Sequence, residues 1–556
     1  MKKYFIWTLI LGGILLYSKS FSNGFVGDDI GYINHPYIQN FQIFDFFQSG
    51  SADLGGQSSI TGSFFRPLML LVISSIYQIS GSFAATYHFI QLLIHIVNVI
   101  LIFFIFKKFF KDNLAFILAL IYLVHPINVE TVSYISNLQD VLFVFFGLSG
   151  LLVLINDFGK KYNVLLVNGL LFMSLLSKET GLLFGAIYML WVCLYKKESI
   201  KNLLTSLMLA IVPYIFIRFI LAGVWLGAGQ HTVFGKLSLP ERVINIPAII
   251  LHYLYTFVFP KDLVLGQTWI TTKDYGGLYL PIITVALGII SLTSLLIKLR
   301  SKKILFLPLV FFTVWFVMGL FMHLQIFPLE MTVADRWFYF PLIGLLGIIG
   351  VTVQSTKNKQ FLHLLTLVGL IFILGFFIRS HIRIGDFKNS LTLYSHDAKL
   401  TKSYLLEHSL GFELMQEKKY KEAYSHLQNA FILFPNTNNT NTLGVYYYQT
   451  LATASAIEMF EKSIALGDNY LAYKNASQIY TNNNNFKEAE RVLIKATKAF
   501  PNDANFWFLL SIAKYKLGQK DKALDAAEKA YKLSPTQQNF YIVNQLRADQ
   551  PIKFSN

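Results

Sequence analysis

Long apolar runs recur along the first two thirds of the chain and then stop. They extend from Tyr4 to about Ile378, whereas after Arg379 polar residues such as Lys, Asn, Glu and Gln interrupt every apolar stretch. The change predicts two domains built for different solvents, a bilayer and water. We therefore predict a transmembrane domain over 1–378, a linker over 379–402, helical repeats over 403–536 and a C-terminal tail over 537–556.

Most apolar runs are long enough to cross a bilayer as helices, which takes roughly 20 apolar residues, or fewer where flanking Lys or Arg reach the interface. This criterion predicts about eleven transmembrane helices. They fall near residues 4–20, 84–106, 113–128, 139–156, 163–177, 181–195, 203–221, 279–297, 304–324, 337–354 and 361–378. The stretch 243–259 is predicted to be re-entrant or interfacial, and Arg66–Ser80 to lie at the membrane surface.

Charge sets the orientation of these helices. The net charge of +16 resides mostly in the membrane region, where residues 1–378 hold 25 Lys and Arg against 15 Asp and Glu. Sixteen of those basic residues cluster in loops that share one side, which the positive-inside rule makes cytoplasmic. This pattern argues against nucleic acid as a partner. The first span is kept rather than cleaved, and the odd number of spans places the repeats on the periplasmic side of the cell inner membrane.

The polar region repeats itself with a period typical of tetratricopeptide repeats. Pro435, Gly467, Pro501 and Pro535 are separated by 32, 34 and 34 residues. The segments 420–436, 486–502 and 521–535 share an early alanine and a closing proline. A period of about 34 residues predicts pairs of helices stacked into a solenoid. We expect about four repeats, with a concave face that holds an extended partner.

Most acidic residues of the membrane region map to the outer side, where ionisable groups near helix ends indicate function. The adjacent Asp28 and Asp29 follow the first span, and one carboxylate can act as a base while its neighbour tunes or orients it. Cations near spans are suited to a lipid-borne phosphate; snorkelling is the alternative. These cations are Arg66, Lys178 and Arg336. His125, Glu130 and Asp140 offer metal-ligand types, although His125 and Glu130 do not share an ideal helical face, so a divalent metal stays an open alternative.

The motifs DDIGYINHPYIQN, SFFRPLMLL, YHFIQLLIHIVNVIL, HPINVETVSYISNLQDVLF, LLSKETG and DRWFYFPLIGLL occur in this order before the repeats. Together they resemble the transmembrane and tetratricopeptide-repeat O-mannosyltransferase family, which is similar in turn to other C-type glycosyltransferases. The resemblance implies an all-α fold in which Asp28 is the catalytic carboxylate and Asp29 its partner. It also implies that the same face binds substrate through Arg66, His125, Glu130, Asp140, Lys178, Glu179 and Arg336.

The resemblance thus predicts a membrane glycosyltransferase that uses a polyprenyl-phosphate-linked sugar. The acceptor is a hydroxyl of a protein or a glycan, held beside the membrane by the repeats, and no cofactor is certain. Three alternatives stay open: a transporter or flippase of lipid-linked sugars, a non-catalytic membrane-anchored repeat scaffold, and a related O-antigen ligase or polymerase. Loss of Asp28 separates transfer from transport, because transport needs no base.

Overall fold

The computed structural model describes residues 3–48, 50, 64–156, 161–225, 232–271 and 274–552. Its contacts divide the chain into two compact units, Met1–Leu406 and Glu407–Asn556. Over the described ranges the chain is helical, with one isolated bridge between Gln267 and Val333. The prediction of an all-α fold is confirmed.

The first unit contains helices of very different length. They are α1 Lys3–Tyr17, α2 Asp28–Ile33, α3 Pro36–Gln39, α4 Ile43–Phe46, α5 Pro67–Ser80, α6 Ala84–Phe106, α7 Asp112–Val124, α8 Val129–Ser133, α9 Leu138–Asn156, α10 Lys161–Ser177, α11 Leu182–Tyr195, α12 Ile200–Ile215, α13 Leu239–Val258, α14 Leu280–Leu299, α15 Lys303–Phe321, α16 Pro341–Ser355, α17 Lys359–Asp386 and α18 Ser390–Leu400. Helix α19, Tyr404–Gln416, runs across the boundary between the units.

Each predicted span coincides with a helix. Within the described residues, seven helical segments are long and apolar enough to cross a membrane, and the bent pair formed by α7 and Pro126–Ser133 makes an eighth. Three further predicted spans are apolar helices of fewer than 18 residues, namely Tyr162–Ser177, Glu179–Tyr195 and Pro341–Ser355. The chain is a membrane protein, and the number eleven stays a prediction.

Two segments that were set apart from the spans also form helices. The stretch 243–259, predicted to be re-entrant or interfacial, lies in α13 except for its last residue. Helix α13 begins with a capping box between Ser238 and Glu241 and is not among the candidate spans of the described residues. The stretch Arg66–Ser80, predicted to lie at the membrane surface, forms α5, a short apolar helix that begins at Pro67. Proline at the first turn needs no backbone hydrogen bond there, which explains this start.

Residues 379–402 are mostly helical and belong to the first unit. Helix α17 continues to Asp386, and α18 follows after Asn389, whose side chain accepts a hydrogen bond from the Thr392 backbone. A buried ion pair fixes this region: the Arg383 guanidinium lies 2.6 and 3.0 Å from the two carboxylate oxygens of Asp397. The segment expected as a linker is therefore packed structure.

The second unit is a stack of antiparallel helix pairs. After α19 it contains α20 Tyr420–Leu433, α21 Thr437–Gln449, α22 Thr453–Leu466, α23 Tyr470–Asn482, α24 Phe486–Ala499, α25 Ala504–Lys516, α26 Lys520–Leu533 and α27 Gln537–Arg547. The second helix of each pair places a fully buried alanine against its neighbours, at Ala423, Ala456, Ala489 and Ala523. A small side chain permits close helix packing, so the repeating alanine identifies the four predicted repeats.

Candidate active site

Glycine at position 27 permits the turn that leads into α2. Its φ of +51° lies in the region that favours glycine. A Cβ at this position would stand 2.5 Å from the Tyr394 hydroxyl and 2.9 Å from that of Tyr134. The Gly27 backbone N–H donates to Ser390 Oγ over 3.0 Å. This close packing sets the direction in which Asp28 and Asp29 leave the turn.

The Asp29 carboxylate is buried, with 1% of the residue exposed. It accepts hydrogen bonds from the Val26 backbone over 3.1 Å, from the Ser136 backbone over 2.6 Å and from Ser136 Oγ over 2.5 Å. Burial raises the pKa of Asp29 to about 7, and the three hydrogen bonds only partly oppose this effect. Asp29 therefore ties the loop before α2 to the segment between α8 and α9.

Asp28 has a different environment from its neighbour. The residue is exposed, and its backbone N–H donates to the Tyr134 hydroxyl over 3.0 Å. Reduced hydration beside the surrounding protein raises the pKa of the Asp28 carboxyl group, while Arg336, the Tyr134 hydroxyl and Arg66 act in the opposite direction. Asp28 thus remains accessible and lies within electrostatic range of two arginines.

Arg336 is held by the broken helix that precedes α9. It lies in the 3₁₀ turn Asp335–Phe338, and its guanidinium forms an ion pair with Glu130 of α8. The Arg336 backbone N–H also donates to Glu130 over 3.1 Å, and its Nη1 donates to the Leu265 carbonyl over 3.2 Å. Glu130 is buried, whereas 16% of the Arg336 side chain is exposed. Glu130 accordingly orients a partly accessible cation.

Lys178 pairs with Asp140, the acidic residue in the first turn of α9. Its Nζ lies 2.6 Å from Asp140 Oδ1, and 10% and 3% of the two side chains are exposed. The other carboxylate oxygen of Asp140 is buried without a hydrogen-bond partner. A buried polar atom without a partner is uncommon and marks a place where a further polar group fits.

Glu179 forms ion pairs with two arginines from distant segments, Arg66 and Arg218. Its Oε1 accepts from the Phe65 backbone over 2.9 Å and lies 3.0 Å from Arg218 Nη1. Its Oε2 lies 3.7 Å from Arg66 Nε, which is buried and has no hydrogen-bond partner. Arg66 is therefore held near Glu179 by charge while one of its donors stays available to a ligand.

The three predicted cations share one electrostatic neighbourhood. Arg66 and Arg336 both act on Asp28, and both also act on Lys178. The sequence intervals between them are long, so the fold and not local sequence brings them together. An accessible carboxylate within electrostatic range of Arg66 and Arg336, both of which also act on Lys178, is an arrangement that can receive an anionic phosphate beside a base.

Two residues of this neighbourhood were not predicted as site residues. Arg218 lies in a π-helical turn, Phe216–Leu221, which is an arrangement frequent at functional sites. Glu330 is half-buried, and burial together with the charge of Asp28 raises the pKa of its carboxyl group, against the effect of Arg336. The sequence did contain a signal for Arg218, because an arginine interrupts an otherwise apolar run there. For Glu330 the only signal in the sequence was that it lies close to Arg336.

His125 occupies a structural position. Its Nε2 lies 2.9 Å from the Phe257 carbonyl, and its Nδ1 accepts from the Ile127 backbone over 3.2 Å. The ring stacks on Phe257 with 5.2 Å between centroids. Both ring nitrogens are thus engaged by backbone groups. Across the part of the chain that the structure describes, no three His, Cys, Asp or Glu side chains form a group that could hold a metal.

The chain is similar over most of its length to proteins named as O-mannosyl-transferases. A protein O-mannosyl-transferase of Caenorhabditis elegans is 24% identical over 462 residues, which cover 77% of this chain and 62% of that protein. Protein O-mannosyl-transferase TMTC3 of Homo sapiens is 23% identical over 95% of this chain and 64% of its own length. The chain resembles the protein O-mannosyl-transferases. The predicted resemblance is confirmed, although the chain spans less than two thirds of the length of these relatives.

The repeats are matched separately. Two family models, both described as tetratricopeptide repeat, match residues 471–503 and 504–537. The solved structure of MamA from Desulfovibrio magneticus is 19% identical, with a TM-score of 0.24, over 26% of this chain and 84% of that one. YrrB, titled a TPR protein with an unusual peptide-binding site, is 17% identical with a TM-score of 0.24, over 28% of this chain and 81% of that one. The prediction of tetratricopeptide repeats is confirmed by the family models.

Proposed function

We propose that this protein is a membrane glycosyltransferase of the O-mannosyltransferase kind. It moves a sugar, mannose in the first instance, from a polyprenyl-phosphate-linked donor to a hydroxyl of a protein or glycan on the non-cytoplasmic side of the cell inner membrane. The observation that carries the proposal is the accessible Asp28 carboxylate within electrostatic range of Arg66 and Arg336, two cations that also act on Lys178. The names of the relatives support the reaction class.

Asp28 acts as the general base in this proposal. Its carboxylate accepts the proton of the acceptor hydroxyl while that oxygen attacks the anomeric carbon of the donor sugar. The bond between the anomeric carbon and the phosphate oxygen breaks, and the polyprenyl phosphate leaves with the electron pair. Attack from the face opposite to the phosphate inverts the anomeric configuration.

The cations stabilise the phosphate that leaves. Negative charge on the phosphate increases as its bond to the sugar breaks, and donors already fixed in place stabilise that charge most effectively. Arg66 has a free donor at Nε, while Glu130 and Asp140 orient Arg336 and Lys178. A metal is not needed for this step, and a divalent metal stays a separate possibility to be tested with a chelator.

The repeats supply the acceptor side of the reaction in this proposal. Tetratricopeptide solenoids present an extended surface from stacked helices, which suits a polypeptide held beside the membrane. The acceptor is accordingly a protein segment rich in Ser or Thr, or a glycan attached to such a segment.

The test is transfer by the purified protein in lipid nanodiscs. We expect wild type to move radiolabelled mannose from a polyprenyl phosphate mannose to envelope proteins extracted from a deletion strain. Parallel donors with glucose or N-acetylglucosamine identify the sugar, and chelator treatment tests for a metal. Transport of the intact donor across liposomes without transfer would overturn the proposal in favour of a flippase.

A further inference from the structure

Tyr134 lies at the break between α8 and the 3₁₀ turn Ile135–Asn137. Its backbone is extended there, with φ −98° and ψ 112°. The side-chain amide of Gln91, a fully buried residue of α6, donates to the Tyr134 carbonyl over 2.8 Å and to the Thr131 carbonyl over 2.6 Å. A buried amide that joins these two carbonyls fixes the break in the chain. The Tyr134 side chain is therefore carried by a rigid support.

The Tyr134 hydroxyl contacts Asp28 in two ways. It accepts a hydrogen bond from the Asp28 backbone N–H over 3.0 Å, and it forms a second hydrogen bond with the Asp28 carboxyl group. Burial, together with the charge of Asp28, raises the pKa of Tyr134 well above its usual value, so the hydroxyl keeps its proton. A phenolic oxygen can accept one hydrogen bond while it donates another. Tyr134 thus holds the main chain and the side chain of the same residue.

The charged and titratable groups around Asp28 come from several segments. They are Asp29 and Tyr32 in α2, Arg66 before α5, Tyr134, Glu330 and Arg336. The two arginines act on the carboxyl group through charge, whereas Tyr134 acts through a hydrogen bond. Charge alone fixes no orientation, but a hydrogen bond weakens steeply when its angle departs from linear. Tyr134 is therefore the group suited to orient the carboxylate.

Two buried tyrosines close one side of the loop that carries Asp28. The hydroxyls of Tyr134 and of Tyr394, a residue of α18, both lie against Gly27. Only 5% and 6% of these two tyrosines are exposed, whereas Asp28 itself is exposed. An acceptor therefore reaches the Asp28 carboxylate from the side away from the tyrosines.

We propose that Tyr134 is a positioning residue for the general base of sugar transfer. Its hydroxyl occupies one carboxylate oxygen of Asp28 and directs the other oxygen to the acceptor. In the reaction the acceptor proton passes to that second oxygen, and Tyr134 keeps its own proton throughout. The inference rests on the proposed function, because it takes Asp28 as the base; it adds the residue that holds the base in its reactive orientation.

The test is the pH profile of kcat/KM for Tyr134→Phe in nanodiscs. This variant loses a hydrogen bond to the charged form of Asp28, so the pKa of Asp28 should rise and the increase of kcat/KM with pH should move to higher pH by about one pH unit. The KM for the donor should stay unchanged, because the cations are untouched. The matched control is Tyr188→Phe, which removes a buried hydroxyl that donates to the Gly147 carbonyl over 2.7 Å. The control should lower the melting temperature without moving the pH profile.

A second variant strengthens the same hydrogen bond instead of removing it, and so guards against misfolding of Tyr134→Phe. A tyrosine fluorinated next to its hydroxyl, placed at position 134, keeps the ring and is a stronger hydrogen-bond donor. In this variant the rise of kcat/KM should move to lower pH than in the wild type. A wild-type pH profile in both variants would overturn the inference and leave Asp28 as the base. Near-normal turnover of Asp28→Asn would instead overturn the proposed base and the inference together.

Discussion

Replacing Asp28 by Asn should abolish transfer and leave the fold intact. The substitution keeps the size of the side chain and removes the proton acceptor. Asp28 is exposed, and the substitution leaves untouched its backbone N–H, which donates to the Tyr134 hydroxyl over 3.0 Å, so little packing is lost. We expect the stability to change by no more than about 0.5 kcal/mol, as for surface substitutions in general.

General-base catalysis typically contributes about 100- to 10,000-fold to a rate. Loss of the base in Asp28→Asn should therefore lower kcat by that factor, which corresponds to roughly 2.7–5.4 kcal/mol in the activation barrier. Donor KM should change little, because the cations are untouched. The assay is steady-state transfer in nanodiscs with saturating donor and acceptor.

Asp29→Asn is the matched comparison because it makes the same chemical change one residue away. The two carboxylate oxygens of Asp29 accept hydrogen bonds from different donors, but an Asn side chain has only one oxygen. In Asp29→Asn the backbone N–H of either Val26 or Ser136 therefore loses its acceptor. Such a loss costs about 1–3 kcal/mol in stability. We expect Asp29→Asn to unfold at a lower temperature and to keep more activity than Asp28→Asn at a temperature where it is folded.

The pH dependence of the rate gives a second test of Asp28 as the general base. The base must be deprotonated, so kcat/KM should rise with pH through the pKa of Asp28, which lies above its usual value. Near-normal turnover of Asp28→Asn, with wild type active in the same assay, would refute the reasoning. Glu330, whose carboxyl pKa is also raised by the charge of Asp28, would then be the next base to test.

The remaining predictions concern the cations, stability and topology. Lys178→Ala and Arg66→Ala should raise the apparent KM for the donor ~10-fold or more and the KM for the acceptor less, since charge-assisted contacts are worth about 1.5–3 kcal/mol. Unchanged donor kinetics would mean that these side chains only extend to the membrane interface. Arg336→Ala should destabilise the fold by about 3–5 kcal/mol because Glu130 is left buried and unpaired, and adding Glu130→Gln should recover part of that loss in thermal unfolding. The pKa of Asp29 in the folded state is raised to about 7, so between about pH 4 and pH 7 the folded state binds a proton that the unfolded state has lost. The contribution of Asp29 to stability should therefore fall as the pH rises through this range. The slope of Tm against pH should be smaller in Asp29→Asn. A reporter fused after Ile378 should be active only in the periplasm, and cytoplasmic activity would contradict the orientation inferred from the basic loops.

Hydrophobic patterning predicted the helices well because a span needs a long apolar run whatever its partners are. The pattern also set the stretch 243–259 apart from the spans. In the structure this stretch belongs to α13, a helix with a capping box at its start. The region 379–402 was expected to be a linker because polar residues interrupt it. Its order depends on the pairing of Arg383 with Asp397, which no periodicity reveals.

The site was predicted in its residue types but not in its pairings. Adjacent carboxylates look alike in a sequence, and the difference between Asp28 and Asp29 arises from Ser136, more than a hundred positions away. Arg218 falls inside the predicted span 203–221 and was not singled out as a site residue. Its partner Glu179 comes from another helix, so only the fold could connect them.

The loop that carries Asp28 depends on residues made much later during synthesis. Asp29 is anchored by Ser136, and the Gly27 backbone donates to Ser390, which lies 363 positions further along the chain. A ribosome must translate the chain as far as Ser390 before this last contact can form. Nascent chains held in the membrane at earlier stages therefore lack a finished carboxylate loop, so a polypeptide truncated before α18 should remain inert even when its spans are correctly inserted.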